Sequence, residues 1–590
     1  MIKYTILKNY FGYTSFRTGQ EEIIDTILSG RDSLGIMPTG GGKSICYQIP
    51  AMCMPGITIV ISPLISLMKD QVQALIQAGI PAAYINSSLT QSQTLKAINN
   101  AREGKYKIIY VAPERLDTYG FTEFAKNADI SMLTVDEAHC ISQWGQDFRP
   151  SYLKICEFLK VLKKRPVISA FTATATEAVR KDICSALSLN NPYITITGFN
   201  RPNLYFEVKH CTKKYETLLP IVQSMKGKSG IIYCATRKNT EQVCDKLIRD
   251  GFKAARYHAG LTDEERSKNQ DDFLYDNVDI IVATNAFGMG IDKSNVSFVI
   301  HYNMPKDIES YYQEAGRAGR DGSPSNCILL YSPADVRTNQ MLIEAEKENN
   351  PNTPPKITER ALERLKLMTF YCHTTECLRS YILKYFGEKY NDRCENCGNC
   401  NAEGIETDVT EECKIICTAV ENLRFFFGRT MLTAILRGSK SARITENNLD
   451  KNPSYGKLKK LSEKDVNDRI SLLISKNILC VSQDKYGVIS PGAEFLTYEK
   501  PITMKTITIK KEERKKESAP TELYAKLKAK RMEIAKALGV PAFVVFTDAT
   551  LTDMCKKLPK DEKEMLEVSG VGKTKFRRFG KDFLEIIKKI

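Results

Sequence analysis

Short apolar runs of six to nine residues, rich in β-branched side chains and bounded by turn residues, recur through the first 330 positions. They are ITIVIS (57–62), KIIYVAP (107–113), SMLTVDE (131–137), PVISAFTAT (166–174), GIIYCAT (230–236), DIIVATN (279–285) and VSFVIHYN (296–303). Runs of this length and composition suit strands buried on both faces of a parallel sheet, and the amphipathic stretches between them suit crossover helices. The pattern predicts an α/β fold in two consecutive domains, divided near the turn-rich Gly198-Phe-Asn-Arg-Pro202.

At 590 residues the chain has room for further domains behind these two. Beyond 335 the pattern turns helical and charged, then reaches a cysteine cluster at 377–400. Residues 405–500 mix helices with a candidate hairpin from Val481 to Ile489 around Asp484-Lys-Tyr-Gly487, as in a small winged helix. The charged run from Lys510 to Lys516 reads as a solvated linker, and Leu523, Leu527, Ile534 and Leu538 fall at helical spacing in a last small helical domain.

No apolar run reaches the roughly 18 residues needed to cross a bilayer, and the amino terminus lacks the basic and apolar regions of a secretory signal. A soluble intracellular protein is the expectation. Most of the 18 cysteines, such as Cys46, Cys156 and Cys234, sit singly in apolar runs, which excludes a disulfide scaffold. A formal charge of +15 favours a polyanionic partner.

Met37-Pro-Thr-Gly-Gly-Gly-Lys-Ser44 follows the strand-like Asp32–Ile36 and precedes a helix-like stretch. Gly40, Gly41 and Gly42 allow backbone N–H groups to close around phosphate oxygens, Lys43 adds a positive charge, and Ser44 can ligate Mg²⁺. Asp136-Glu137 ends another apolar run, where one acid can hold the metal and its neighbour can orient an attacking water. We assign Asp136 to the metal and Glu137 to the water. Cys377, Cys394, Cys397 and Cys400 have a spacing that closes a four-thiolate site around zinc, although CxxCxxC also occurs around iron–sulfur clusters. Four cysteine ligands leave no open metal position, which excludes a zinc-dependent hydrolase.

These motifs occur in order with Phe11-Gly-Tyr-Thr-Ser-Phe-Arg-Thr-Gly-Gln20, the segment from Asp136 to Pro150, Phe171-Thr-Ala-Thr-Ala175 and Gln313-Glu-Ala-Gly-Arg-Ala-Gly-Arg-Asp-Gly322. Together they resemble the motif series of the RecQ helicases over nearly the whole chain. The resemblance implies two tandem RecA-like P-loop lobes (1–200 and 201–335), a helical zinc-binding subdomain (336–404), a winged helix (405–502), a linker (503–517) and an all-α HRDC domain (518–590). It tips the cysteine site to Zn²⁺ and implies a Mg²⁺-dependent ATPase that translocates 3′ to 5′ on DNA and unwinds duplexes.

Carried over onto this sequence, Tyr13, Arg17 and Gln20 match an adenine-recognition motif, and Arg317, Arg320 and Gln313 match a γ-phosphate motif with Arg320 as the finger. His139, Trp144, Phe148 and Arg149 match an aromatic loop that couples DNA to the ATP site, with Gln146 where the family often has His. Thr172 and Thr174 fit a switch segment, and Tyr486 marks a hairpin that wedges at the duplex junction. Arg437, Lys440 and Arg443 would hold duplex phosphates, and Ser569–Arg578 suits a nucleic-acid backbone contact. The expected partners are single-stranded and forked duplex DNA, a single-strand-binding protein and a topoisomerase, for a monomer in the nucleoid-associated cytoplasm. Two other readings stand beside this one, an RNA-dependent DExH/DEAD-type ATPase and a nonhydrolytic DNA-binding scaffold.

Overall fold

The computed structural model describes residues 2–142, 148–287, 293–349, 355–391, 393–402, 404–425, 427–476, 478–481, 488–495, 501–507 and 522–588. Seven strands form the first sheet: β1 (Ser33–Ile36), β2 (Ile57–Ile61), β3 (Ala82–Ile85), β4 (Ile108–Val111), β5 (Ile130–Val135), β6 (Val167–Thr172) and β7 (Tyr193–Ile196). Their order is β3-β4-β2-β5-β6-β1-β7, with every pairing parallel. A second parallel sheet follows: β8 (Leu204–His210), β9 (Gly230–Tyr233), β10 (Ala254–Tyr257), β11 (Ile280–Ala283), β12 (Phe298–His301) and β13 (Ser325–Tyr331), in the order β10-β11-β9-β12-β13-β8. Helices cover both faces, so the central strands are buried throughout and read as unbroken apolar runs. These are the two RecA-like lobes.

Each apolar run singled out in the sequence overlaps a strand, β5 beginning one residue before its run. The edge strands β3, β7, β8 and β10 did not stand out, because an edge is half-covered and carries a mixed pattern. Strand β13 is interior, and its Cys327–Tyr331 run carried a signal that the sequence reading passed over.

Asp32, at the foot of β1, ties the first sheet together. It is buried, and it accepts hydrogen bonds from Ile168 N at 2.9 Å, Asn190 N at 2.7 Å and both terminal nitrogens of Arg165. Asp32→Ala leaves two backbone donors without an acceptor, a loss of about 3 kcal/mol. The expected result is an earlier first transition in denaturant unfolding, and an unchanged transition would refute this account of the Asp32 side chain.

Behind the lobes, long helices Pro333–Asn349 and Pro355–His373 lead to the cysteine segment. Helices Thr410–Glu421, Arg429–Arg437 and Glu463–Ser475 then pack around Cys413, Ile416, Leu432, Val466 and Ile470. The antiparallel pair β15 (Leu479–Val481) and β16 (Ile489–Pro491) forms the stem of the expected hairpin, while its turn and Tyr486 lie outside the described residues. Strand β14 (Gly404–Asp408) pairs antiparallel with β17 (Thr503–Ile507). The stretch expected as linker from 503 therefore begins as a strand, and its β-branched Thr503, Thr506 and Ile507 suit that role.

The last domain is all helical, around Leu527, Val545, Phe546, Leu551, Met554 and Phe583. Its first helix, Glu522–Leu538, buries Leu523, Leu527, Arg531 and Ala535, whereas Leu538, expected on the apolar face, is exposed. The inward stripe runs at intervals of four residues and includes a charge. Arg531 is accommodated because it pairs with Asp548 at 2.7 Å and donates to Phe546 O at 2.9 Å. Among the described residues no helix is long and apolar enough to cross a membrane.

Candidate active site

Parallel strands deliver their following loops to one rim of the sheet, and ligands of such sheets bind there. Strands β1, β6 and β5 are neighbours, so the Gly-rich loop, Thr172–Thr174 and Asp136-Glu137 emerge side by side. Gly42 adopts φ 81° and caps the helix Lys43–Cys53, which aims the helix N-terminus and the first-turn residues Lys43 and Ser44 into the opening. The second lobe supplies Gln313, at the end of the helix Ile308–Ala315, and the following Arg317 and Arg320.

Tyr13, Arg17, Gln20, Gly40, Gly42, Lys43, Ser44, Asp136, Glu137, Gln313, Arg317 and Arg320 all line one cleft between the lobes. Gly41 lies within the same loop, its N–H bonded to Pro38 O at 2.9 Å. Four cations, Arg17, Lys43, Arg317 and Arg320, converge there with the carboxylates of Asp136 and Glu137, a donor set that fits a triphosphate carrying a divalent cation, with Ser44 and Asp136 as the residues that would hold Mg²⁺. Arg17 donates to Gly40 O at 2.6 Å, and the Gln20 amide donates to Gly41 O at 3.2 Å and Gly42 O at 3.1 Å. The motif expected to read a base thus also holds the phosphate loop.

Glu137 directly follows Asp136 in left-handed backbone conformation, φ 46°, which is costly for a residue with a side chain. Its carboxyl is pushed up by burial, but Lys43, His139, Arg317 and Arg320 prevail and hold it below the usual carboxylate range. From Glu137 a polar path crosses the interface. Its carboxylate lies 3.4 Å from His139 Nδ1, which lies 2.9 Å from Thr172 Oγ1. The Thr172 hydroxyl donates to Thr174 O at 3.0 Å, and Gln313 of the second lobe donates to Thr174 Oγ1 at 3.0 Å.

His139 is 2 % exposed, which places it behind the surface rather than as a direct nucleic-acid contact. Phe148 and Arg149 are half-buried, with Arg149 donating to Pro63 O at 3.1 Å. Trp144 and Gln146 lie outside the described residues. Arg437, Lys440 and Arg443 are exposed together on the winged helix.

The four cysteines do converge. Their Sγ atoms lie within 4.8 Å of one another, with Cys394–Cys400 and Cys377–Cys397 each at 4.0 Å. Tetrahedral zinc with bonds of about 2.3 Å needs sulfurs about 3.8 Å apart. Each sulfur also accepts one backbone N–H at 3.4 Å, from Ser380, Asn396, Cys400 and Cys394 in turn, which orients the four sulfurs toward a common centre. The residues fit a closed structural zinc site.

Sequence reasoning missed two features around the cleft. Arg201, part of a predicted boundary, donates to Thr39 O of the phosphate loop and to Ala318 O and Gly319 O of the second lobe, and the last domain supplies Thr547, Ala549, Thr550, Ser569 and Gly570 to the cleft wall. The Ser569–Arg578 segment packs on the first lobe. A Cβ at Gly12 would meet Val571 and Gly572 backbone at 2.7–2.8 Å, and Arg578 donates to Gln77 O at 3.0 Å. No local pattern announces such a contact.

Family models match in sequence order: DEAD/DEAH box helicase at 17–182, helicase conserved C-terminal domain at 213–322, RecQ zinc-binding at 333–401, RQC domain at 403–517 and HRDC domain at 521–587. The ATP-dependent DNA helicase RecQ of Bacillus subtilis is 44% identical over 99% of this chain and 98% of its own length. The chain belongs to the RecQ family. The RecQ of Pasteurella multocida is 40% identical over 99% of this chain and 93% of its own. The RecQ-like DNA helicase BLM of Xenopus laevis is 35% identical over 99% of this chain but only 46% of its own length. The DEAD/DEAH match would also suit an RNA-dependent enzyme; the zinc-binding, RQC and HRDC matches separate RecQ from it.

Proposed function

We propose that this RecQ-family protein is a DNA-stimulated ATPase that translocates 3′ to 5′ on single-stranded DNA and unwinds duplexes. The observation that carries the reading is the convergence, on one cleft, of Lys43, Asp136 and Glu137 from the first lobe with Gln313, Arg317 and Arg320 from the second. A site built from both lobes hydrolyses nucleotide only when they approach, which turns hydrolysis into relative motion.

Tyr13, Arg17 and Gln20 bind the adenine side and brace the loop. Lys43 and the amides at Gly40–Ser44 bind phosphate, and Arg317 and Arg320 stabilise charge developing on the γ-phosphate. Glu137, kept ionised by its cationic neighbours, orients the attacking water and accepts its proton. Mg²⁺ on Ser44 and Asp136 neutralises phosphate charge when bound. The path through His139, Thr172, Thr174 and Gln313 reports the state of the acid to the second lobe. Trp144, Phe148 and Arg149 contact the single strand, Tyr486 stands at the fork, and the exposed Arg437, Lys440 and Arg443 bind duplex phosphates. From the family likeness alone, the protein works as a monomer at the nucleoid on forked DNA, beside single-strand-binding protein and a topoisomerase.

The test is Mg²⁺-dependent ATP hydrolysis with no nucleic acid, with single-stranded DNA and with single-stranded RNA. DNA alone is expected to stimulate, and Lys43→Ala is expected to lower the stimulated rate by about 10²-fold or more. Stimulation by RNA instead would sink the DNA-motor reading, and absent hydrolysis would favour the scaffold.

A further inference from the structure

Arg201 lies in the short crossing between β7 and β8, and its five N–H donors meet five acceptors. Nε donates to Asn203 Oδ1 at 3.4 Å, one terminal nitrogen to Thr39 O and to Gly316 O at 3.3 Å, and the other to Ala318 O at 3.0 Å and Gly319 O at 2.7 Å. Three of these carbonyls belong to the backbone that carries Arg317 and leads into Arg320. Thr39, across the cleft, belongs to the phosphate loop. Arg201 has no ion-pair partner among the described residues, so it meets carbonyl dipoles whose geometry, more than their charge, it can enforce.

The crossing itself is gripped from behind. Arg379 is buried and donates to Asn200 Oδ1 at 3.0 Å, to Arg201 O and to Leu204 O. It sits in the first turn of the helix Leu378–Tyr385, whose N-cap is Cys377, and Asn396 of the cysteine loop donates to Pro202 O at 2.8 Å.

We infer that Arg201 is a positioning residue for hydrolysis: it pins the Arg317–Arg320 backbone to the phosphate loop when the lobes close, with Arg379 fixing the crossing from which it reaches. The inference rests on the ATPase reading above. A planar five-donor group is needed for this task, and lysine, with one ammonium, keeps the charge but cannot span both lobes. Misplacement of catalytic groups by about 1 Å costs up to about 10²-fold in rate.

The experiment compares wild type, Arg201→Lys, Arg201→Gln and Arg379→Lys in DNA-stimulated ATP hydrolysis, with ADP affinity and thermal unfolding measured on each. Arg201→Lys is expected to lower kcat at least about tenfold while KM for ATP and ADP affinity hold, and Arg379→Lys to shift kcat the same way by less. An Arg201→Lys kcat equal to wild type, or a raised KM with kcat intact, overturns the proposal. Should Arg201→Gln fail to fold, the two lysine variants decide. If wild type itself hydrolyses no ATP, it is the ATPase reading that fails.

Discussion

Glu137→Gln is expected to lower DNA-stimulated ATP hydrolysis by about 10³-fold while ATP still binds. Glutamine keeps the size of the side chain, keeps an oxygen facing His139, and tolerates the left-handed backbone no worse than glutamate. What it loses is the carboxylate that accepts a proton from water. Because Lys43, His139, Arg317 and Arg320 hold that carboxyl below the usual range, the wild-type group protonates at a lower pH than an ordinary glutamate. The rate should therefore not fall with a Glu-like midpoint on mild acidification. Single-turnover hydrolysis beside equilibrium ATP binding makes the measurement, and a variant that hydrolyses at the wild-type rate would remove Glu137 from the mechanism.

Replacing a cysteine ligand is expected to have the largest effect on the fold. Apparent binding energies at structural zinc sites reach about 10 kcal/mol or more, and that energy is folding energy. Cys397 is fully buried, its sulfur accepts the Cys400 N–H, and it caps the helix Gly398–Asn401. Cys397→Ser should abolish stoichiometric zinc by elemental analysis and expose the 377–400 segment to proteolysis. Retention of a protease-resistant segment without metal would show that packing alone holds the junction.

The sequence displayed those parts of the site that depend on local backbone geometry. A Gly-rich loop between strand and helix, an acid pair at a strand end and cysteines at CxxC spacing each need particular residues at fixed intervals, so they can be read in one dimension. The interior strands were legible because burial on both faces forces unbroken apolar runs. Edge strands such as Tyr193–Ile196 alternate half-buried and exposed positions and give no comparable run. Arg531 was invisible as a core residue because its partner, Asp548, is supplied by another helix. Arg201 was invisible for the same reason, since its acceptors are carbonyls from two distant loops, and carbonyls leave no trace in residue identity.

The wall that Thr547, Thr550, Ser569 and Gly570 add to the cleft has a pharmacological consequence. A protein shortened to end at the winged helix keeps the phosphate loop, the acids and the arginines, yet it presents a wider mouth to small molecules. Compounds selected against that shortened form would be optimised for a cavity the full chain does not offer. Conversely, a compound that touches both the phosphate loop and the Ser569-Gly570 turn would discriminate against motors built on the same two lobes without such a domain.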